Sequence, residues 1–174
     1  ASHRYSFSAD GVIALAGGTV RALIYAIDYE LDLISNFSYF TDPANGDQFQ
    51  QIDERRIYGA ETSWRKSFDW SGRAQELSAG VQIRHDDIGK VGLYRTIARQ
   101  RFGTVREDSV KQTSHSVYLS IDTRWSEWMR TTVGLRADHF DFGVGANVEM
   151  NSGNASDSLV SPKFAAVLGP WSRT

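Results

Sequence analysis

Apolar and polar residues alternate with a period of two along most of this chain, a pattern that fits strands and excludes helices over the same stretches. From Glu76 to Asp86, Leu77, Ala79, Val81 and Ile83 oppose Ser78, Gly80, Gln82 and Arg84. From Ser116 to Trp125, Val117, Leu119, Ile121 and Trp125 oppose Ser116, Tyr118, Ser120, Asp122 and Arg124. Met129, Val133, Leu135 and Ala137 then face away from Arg130, Thr132, Gly134, Arg136 and Asp138. Upstream, Leu23, Tyr25, Ile27, Tyr29, Leu31 and Leu33 alternate with Ala26, Asp28, Glu30 and Asp32, and Tyr58, Ala60 and Trp64 with Gly59, Glu61, Ser63 and Arg65. A late element sets Val160, Pro162, Phe164, Ala166 and Leu168 on one face, and a first one offers Tyr5, Phe7 and Ala9. The reading is an all-β, antiparallel chain of about seven strands.

The connections alternate in length. Short breaks fall at Gly17-Gly18, Ser71-Gly72-Arg73, Ser126-Glu127 and Gly169-Pro170, and long polar ones at Thr41 to Gln48, about Ile88 to Ser109, and about Gly143 to Ser158. Tight turns at one end and long loops at the other are the mark of an up-and-down transmembrane β-barrel. Phe49 to Trp70, if extended throughout, spans on the order of 70 Å, beyond the usual strand of a soluble sandwich. Trp70, Trp125, Trp128 and Trp171 sit at or beside the short turns, where a barrel carries an aromatic girdle. The second face mixes Gly, Ser, Arg, Asp and Tyr, which suits a crowded polar lumen. A strand crosses hydrocarbon only in a closed barrel, where every backbone N–H and C=O is paired. An odd number of strands does not close the usual bacterial barrel, and the chain stops just after Gly169-Pro170. Its start carries no initiator Met and no leader. The expectation is a mature chain or an excerpt, and for the strands an internal excerpt of a larger barrel.

Composition removes several function classes. Lys and Arg total 19 against 21 Asp and Glu, a net charge of -2 that leaves no electrostatic footprint for nucleic acid. With no Cys there are no disulfides, thiolate zinc sites or cysteine nucleophiles. The most apolar stretch, Gly11 to Val20, is too short for a membrane-spanning helix. No Gly-x-Ser-x-Gly elbow, P-loop or dinucleotide fingerprint occurs, so the chain reads as non-enzymatic and without a cofactor.

Charged constellations remain. Asp28, Glu30 and Asp32 stack three carboxylates at period two, a set suited to a hard cation or a basic substrate, or to a lumen wall paired with Arg on neighbouring strands. Arg55, Arg65, Arg84, Arg124, Arg130 and Arg136 are the expected partners. His85 beside Asp86 and Asp87 has no metal-ligand spacing and reads as a loop-rim histidine. The stretch Ile88 to Ser109 combines Lys90, Arg95, Arg99, Arg101 and Arg106 with Leu93, Tyr94 and Phe102, a basic and aromatic loop that fits lipopolysaccharide phosphates or an anionic ligand. Arg84, Arg95, Arg99 and Arg101 are the candidate ligand-binding residues. Asn36-Phe37-Ser38 and Asn154-Ala155-Ser156 match the glycosylation pattern, which arises often by chance.

Several segments together resemble the barrel of TonB-dependent outer-membrane receptors. Arg21 to Tyr29 and Leu33 to Phe40 look like a family strand rising into the first long loop, as do Arg84 to Ile88 and Val91 to Tyr94. Gly134 to Asp138 and Ser158 to Lys163 are similar to late barrel strands, the Ser161-Pro162-Lys163 start above all. The resemblance implies a barrel of about 22 strands with a plugged lumen. It implies location in the bacterial outer membrane, contact with its lipid and lipopolysaccharide, and an own plug domain and TonB as partners. Uptake of a small, scarce nutrient such as an iron-siderophore complex follows. Residues 1–174 would then be part of that barrel, with the plug and the remaining strands outside it. The alternatives are a complete eight-stranded outer-membrane barrel with a structural or surface-interaction role, and a soluble all-β binding domain.

Overall fold

A computed structural model describes residues 2–36, 38–40 and 42–170. Its strands are β1 His3–Leu15, β2 Gly18–Asn36, β3 Gln48–Trp70, β4 Arg73–Ile97, β5 Gln100–Arg124, β6 Met129–Ala146 and β7 Gly153–Leu168. They form one antiparallel sheet in sequence order, β1 to β7, each strand paired only with its neighbours in the chain. Among the described residues the sheet is open, with β1 and β7 as its edges, as a segment of a larger barrel is. Among the described residues the one helical element is a single 3-10 turn at Glu149–Asn151.

Three connections are two-residue turns, each with both residues at positive φ: Ala16 and Gly17 (53° and 70°), Ser71 and Gly72 (53° and 72°), and Ala98 and Arg99 (49° and 66°). That geometry matches the right-handed twist of the flanking strands. The third turn corrects the reading of Ile88 to Ser109 as a long loop: the segment is the far half of a hairpin whose strands have 25 residues each. Register shifts between Ile88 and Val91, Leu93 and Tyr94, and Arg95 and Thr96 break the period-two pattern there, and no glycine or asparagine signals the turn. Gly143 to Ser158 is likewise mostly strand, the break shrinking to residues 147–152 around the 3-10 turn. Asn154 to Ser156 therefore lies in β7, and Phe37 of the other glycosylation pattern lies outside the described residues.

Pairing assigns the faces. Ala26, Tyr58, His85, Thr113, Asp141 and Ser156 are opposed in turn across β2 to β7, and Ile24, Ala60, Ile83, His115, His139 and Ser158 form the next row on the same face. Below them the face is almost wholly apolar, and it is bare: Val81 is 54% exposed and Phe164 74%. The opposite face carries charge yet is crowded, with Asp86 at 5% and Asp138 at 9%. A water-soluble fold has these the other way round. An apolar surface against lipid and a polar, packed interior wall are what a transmembrane barrel requires.

The aromatic residues sort by the same logic. Trp64 and Trp70 lie on the apolar face towards the short turns, and Trp125, just past β5, packs beside Arg73 and Thr131 of that face. Trp125 Nε1 donates to Thr131 Oγ1 (2.7 Å), Arg73 stacks over its ring, and Trp64 Nε1 donates to the Leu15 carbonyl (3.1 Å). The indoles thus keep their polar edge bonded and their rings towards lipid, as an interfacial girdle does. Trp171 lies outside the described residues. On the inner face, tyrosines cover glycines: a Cβ at Gly59 would fall inside the Tyr25 ring, and one at Gly80 inside that of Tyr118.

Candidate functional site

The inner wall begins with charges that neutralise one another locally. Arg84 grips Asp86 with two bonds (2.7 and 2.8 Å), Arg136 grips Asp138, and Arg55 and Arg106 pair with Asp53 and Asp108. Each of these pairs lies two residues apart on one strand, where side chains share a face. Of the arginines expected to answer Asp28, Glu30 and Asp32, Arg130 goes instead to Asp122 (2.9 Å) and Arg65 to Glu76 (3.3 Å) on neighbouring strands, while Arg55, Arg84 and Arg136 bond carboxylates on their own strands. Cross-strand bonding comes instead from neutral groups. Arg136 Nη2 donates to Ser116 Oγ (2.8 Å) and Gln82 Oε1 (3.2 Å), and Ser116 Oγ donates to Asp138 (2.6 Å), joining β4, β5 and β6.

The three carboxylates of β2 require a correction. Asp28, Glu30 and Asp32 pair in register with Arg56, Glu54 and Ile52, on the face that carries Ala26, Tyr58 and Ile83 lower down. They stand on the outside of the wall, above the apolar band, and Leu23, Tyr25, Ile27 and Tyr29 line the inside. β2 is apolar on both faces between Leu23 and Ile27, so alternation alone does not say which face meets lipid. His3 Nε2 lies 3.2 Å from Asp28 Oδ1 and Arg56 Nε 3.3 Å from Asp28 Oδ2, while Gln50 Nε2 donates to Asp32 Oδ1 (2.6 Å). Among the described residues no cluster of His, Asp and Glu is suited to a metal ion, which leaves no support for the cation reading. His85 is also not in a loop: it sits in β4, its Nδ1 2.8 Å from Thr113 Oγ1.

The second region is the far end of the β4–β5 hairpin, beside the loop between β2 and β3. Gln48 Oε1 accepts from the Arg99 backbone N–H (2.9 Å) and from Thr96 Oγ1 (3.0 Å), fastening the hairpin tip to β3. Arg101 lies over the Tyr94 ring, 4.1 Å from its centroid, and donates through Nε to Gln50 Oε1. Tyr94, only 2% exposed, donates its hydroxyl proton to Glu107. Burial, then the bond to Glu107, pushes the Tyr94 phenol up to about 12. In the loop, Asp42 accepts from the Asn45 side chain (2.9 Å) and from the backbone N–H groups of Asn45 and Ala44 (2.9 and 3.1 Å), which holds its carboxyl below the usual range. Loop and hairpin enclose a hollow of about 290 Å³ lined by Arg95, Phe49, Phe102 and Asp47 among others.

The four candidate arginines therefore separate. Arg95, Arg99 and Arg101 belong to the hairpin end, whereas Arg84 lies on the same strand as Arg95 but roughly 35 Å below it at 3.3 Å per residue. Arg84 is spent on Asp86 and Arg101 on Tyr94 and Gln50. Arg95 has no side-chain hydrogen bond among the described residues and faces the hollow, next to Phe49 by register. The signal missed in the sequence is the pair Phe49 and Phe102, whose convergence depends on a hairpin hidden by bulges.

Three comparisons bear on what such a wall belongs to. Residues 1–172 match the family model described as "TonB dependent receptor-like, beta-barrel". The ferric citrate transporter FecA, solved in its unliganded form, superposes with a TM-score of 0.73 at 13% identity, over 94% of this chain and 24% of that one. The ferric-catecholate import receptor Fiu from E. coli K12, in its open form, gives a TM-score of 0.54 at 10% identity, over 95% of this chain and 31% of that one. The chain thus spans about a quarter to a third of these solved chains, and at such identities the likeness is one of fold. No curated protein matches the sequence.

Proposed function

The chain belongs to the TonB-dependent receptor-like β-barrel family, and from that footing we propose that it forms part of the wall of a ligand-gated uptake receptor whose barrel is closed by its own plug domain and energised through TonB. Membership places it in the bacterial outer membrane, in a family of transporters and receptors and not of enzymes. The observation that carries the proposal is the inverted sheet: an apolar face laid bare and a charged face packed.

The ligand we propose is a small anionic metal complex of the siderophore-iron kind. Its support is local. Among the described residues Arg95 has no side-chain hydrogen bond and lies beside Phe49 and Phe102 at the extracellular end, while Arg84 and Arg136 lower on the inner wall are neutralised by carboxylates. A cation in a hollow that aromatic rings also line suits a compact anion whose oxygens accept hydrogen bonds and whose carbon framework packs on the rings. The test is uptake of radiolabelled iron, offered as ferric citrate and as a ferric catecholate, by cells with and without the full-length gene, in TonB-intact and TonB-lacking backgrounds. Uptake that needs both genes, and falls about tenfold in binding affinity with Arg95→Ala, is expected from loss of one charged contact. Iron uptake indifferent to the gene in both backgrounds overturns the ligand class.

A further inference from the structure

All four histidines of the sequence lie on the outer face, at the boundary where the apolar band gives way to polar residues. Their row steps down the register from β1 to β6, as a line of constant depth does on tilted strands. Two of them are directly opposed: His115 on β5 and His139 on β6, with Ser158 of β7 next in the row. Immediately below is an open hollow of about 500 Å³. Val81, Val117 and Val160 wall it, and the small Ala60 and Ala137 leave its floor low.

The bonding at the hollow's upper end is lopsided. His139 is held by Ser158, whose Oγ is 2.8 Å from Nδ1, and by Asp141, whose Oδ2 is 3.5 Å from Nε2. His115 is exposed and has no hydrogen-bond partner among the described residues. An imidazole with both nitrogens uncommitted among the described residues, set over an apolar trough that continues into the lipid-facing band, matches an amphiphile: a donor for the head, a trough for the tail. We propose that this is a seat for an outer-leaflet lipid bearing a phosphate monoester, its acyl chain along Val81, Val117 and Val160 and its phosphate accepting from the ring N–H of His115. His139, oriented by Ser158 and balanced by Asp141, closes the seat on the β6 side. The inference rests on the membrane placement of the wall and is independent of what the receptor takes up.

Native mass spectrometry of the delipidated full-length receptor in detergent tests it, with dioleoyl phosphatidic acid, dioleoyl phosphatidylcholine and inorganic phosphate as probes. Phosphatidic acid is expected to bind in preference to phosphatidylcholine and to resist competition by inorganic phosphate. His115→Gln is expected to weaken it about tenfold, the worth of one hydrogen bond to a charged group. Val117→Trp, which fills the trough and keeps an apolar lipid face, is expected to weaken it with His115 intact. Equal binding of the two lipids, or full competition by inorganic phosphate, overturns the lipid seat. So does phosphatidic acid binding that neither variant changes. Ferric ligand uptake by the His115→Gln receptor is expected to stay at the wild-type level, so the proposal and the uptake reading fail separately.

Discussion

Tyr94 shows how one side chain at the hairpin end joins several elements. Its ring carries Arg101 from β5, its edge covers Gly92, and its hydroxyl reaches Glu107. Because the folded phenol ionises at about 12 against a usual 10.0, its contribution to stability is complete below pH 10 and is lost as the pH rises through 12. A spectrophotometric tyrosinate titration of the folded protein should show a late-ionising phenol, and Tyr94→Phe should remove that late component. The same variant should cost about 1 kcal/mol at neutral pH, the usual worth of a hydrogen bond. An unchanged titration curve would break the assignment of the late phenol. At this scale the sequence was only partly legible. The basic and aromatic character of residues 88–109 was evident, but which cation is free was not. Arg101 loses its freedom to Gln50 and Tyr94, partners that only the strand register reveals, Arg84 loses its own to Asp86 two residues along its strand, and Arg95 has no side-chain hydrogen bond among the described residues.

Strand β4 displays the wall's two chemistries in successive residues. Val81 stands on the bare apolar face, and Gln82 accepts from Arg136 on the inner one. Val81→Arg should destabilise the folded barrel by about 2 to 4 kcal/mol, since it places a charge in hydrocarbon. Gln82→Arg should cost about 1 kcal/mol, by losing its bond to Arg136. Denaturant unfolding in lipid vesicles measures both, and equal tolerance would undo the assignment of faces. Alternation made β4 to β7 legible within the membrane because one face there is apolar and the other not. It failed on β2, apolar on both sides at Leu23 to Ile27, and above the membrane, where bulges shift the phase and no solvent of a single kind imposes a period. The turn at Ala98-Arg99 stayed hidden because neither residue is a habitual left-handed one.

Taken whole, the sheet has two unpaired edges and one apolar face, and nothing in its own seven strands covers either. Residues 1–174 expressed alone should therefore aggregate in buffer and remain dispersed only in detergent or beside the missing strands. A monodisperse, cooperatively unfolding monomer in sedimentation without detergent would contradict the lipid-facing role. The family order of short turns and long crossings was readable at this scale, because the demand that lipid makes on backbone pairing governs every strand alike. The bulges near Ile88, Leu93 and Arg95 have a further consequence, for how such a wall can change over generations. Below them each residue is fixed in phase by the bilayer, so an inserted residue would turn a whole strand inside out. Above them a single extra residue can be absorbed where the ladder already slips. The hairpin end is thus free to vary in length and in lining one residue at a time, while the crossing beneath inherits its register unaltered.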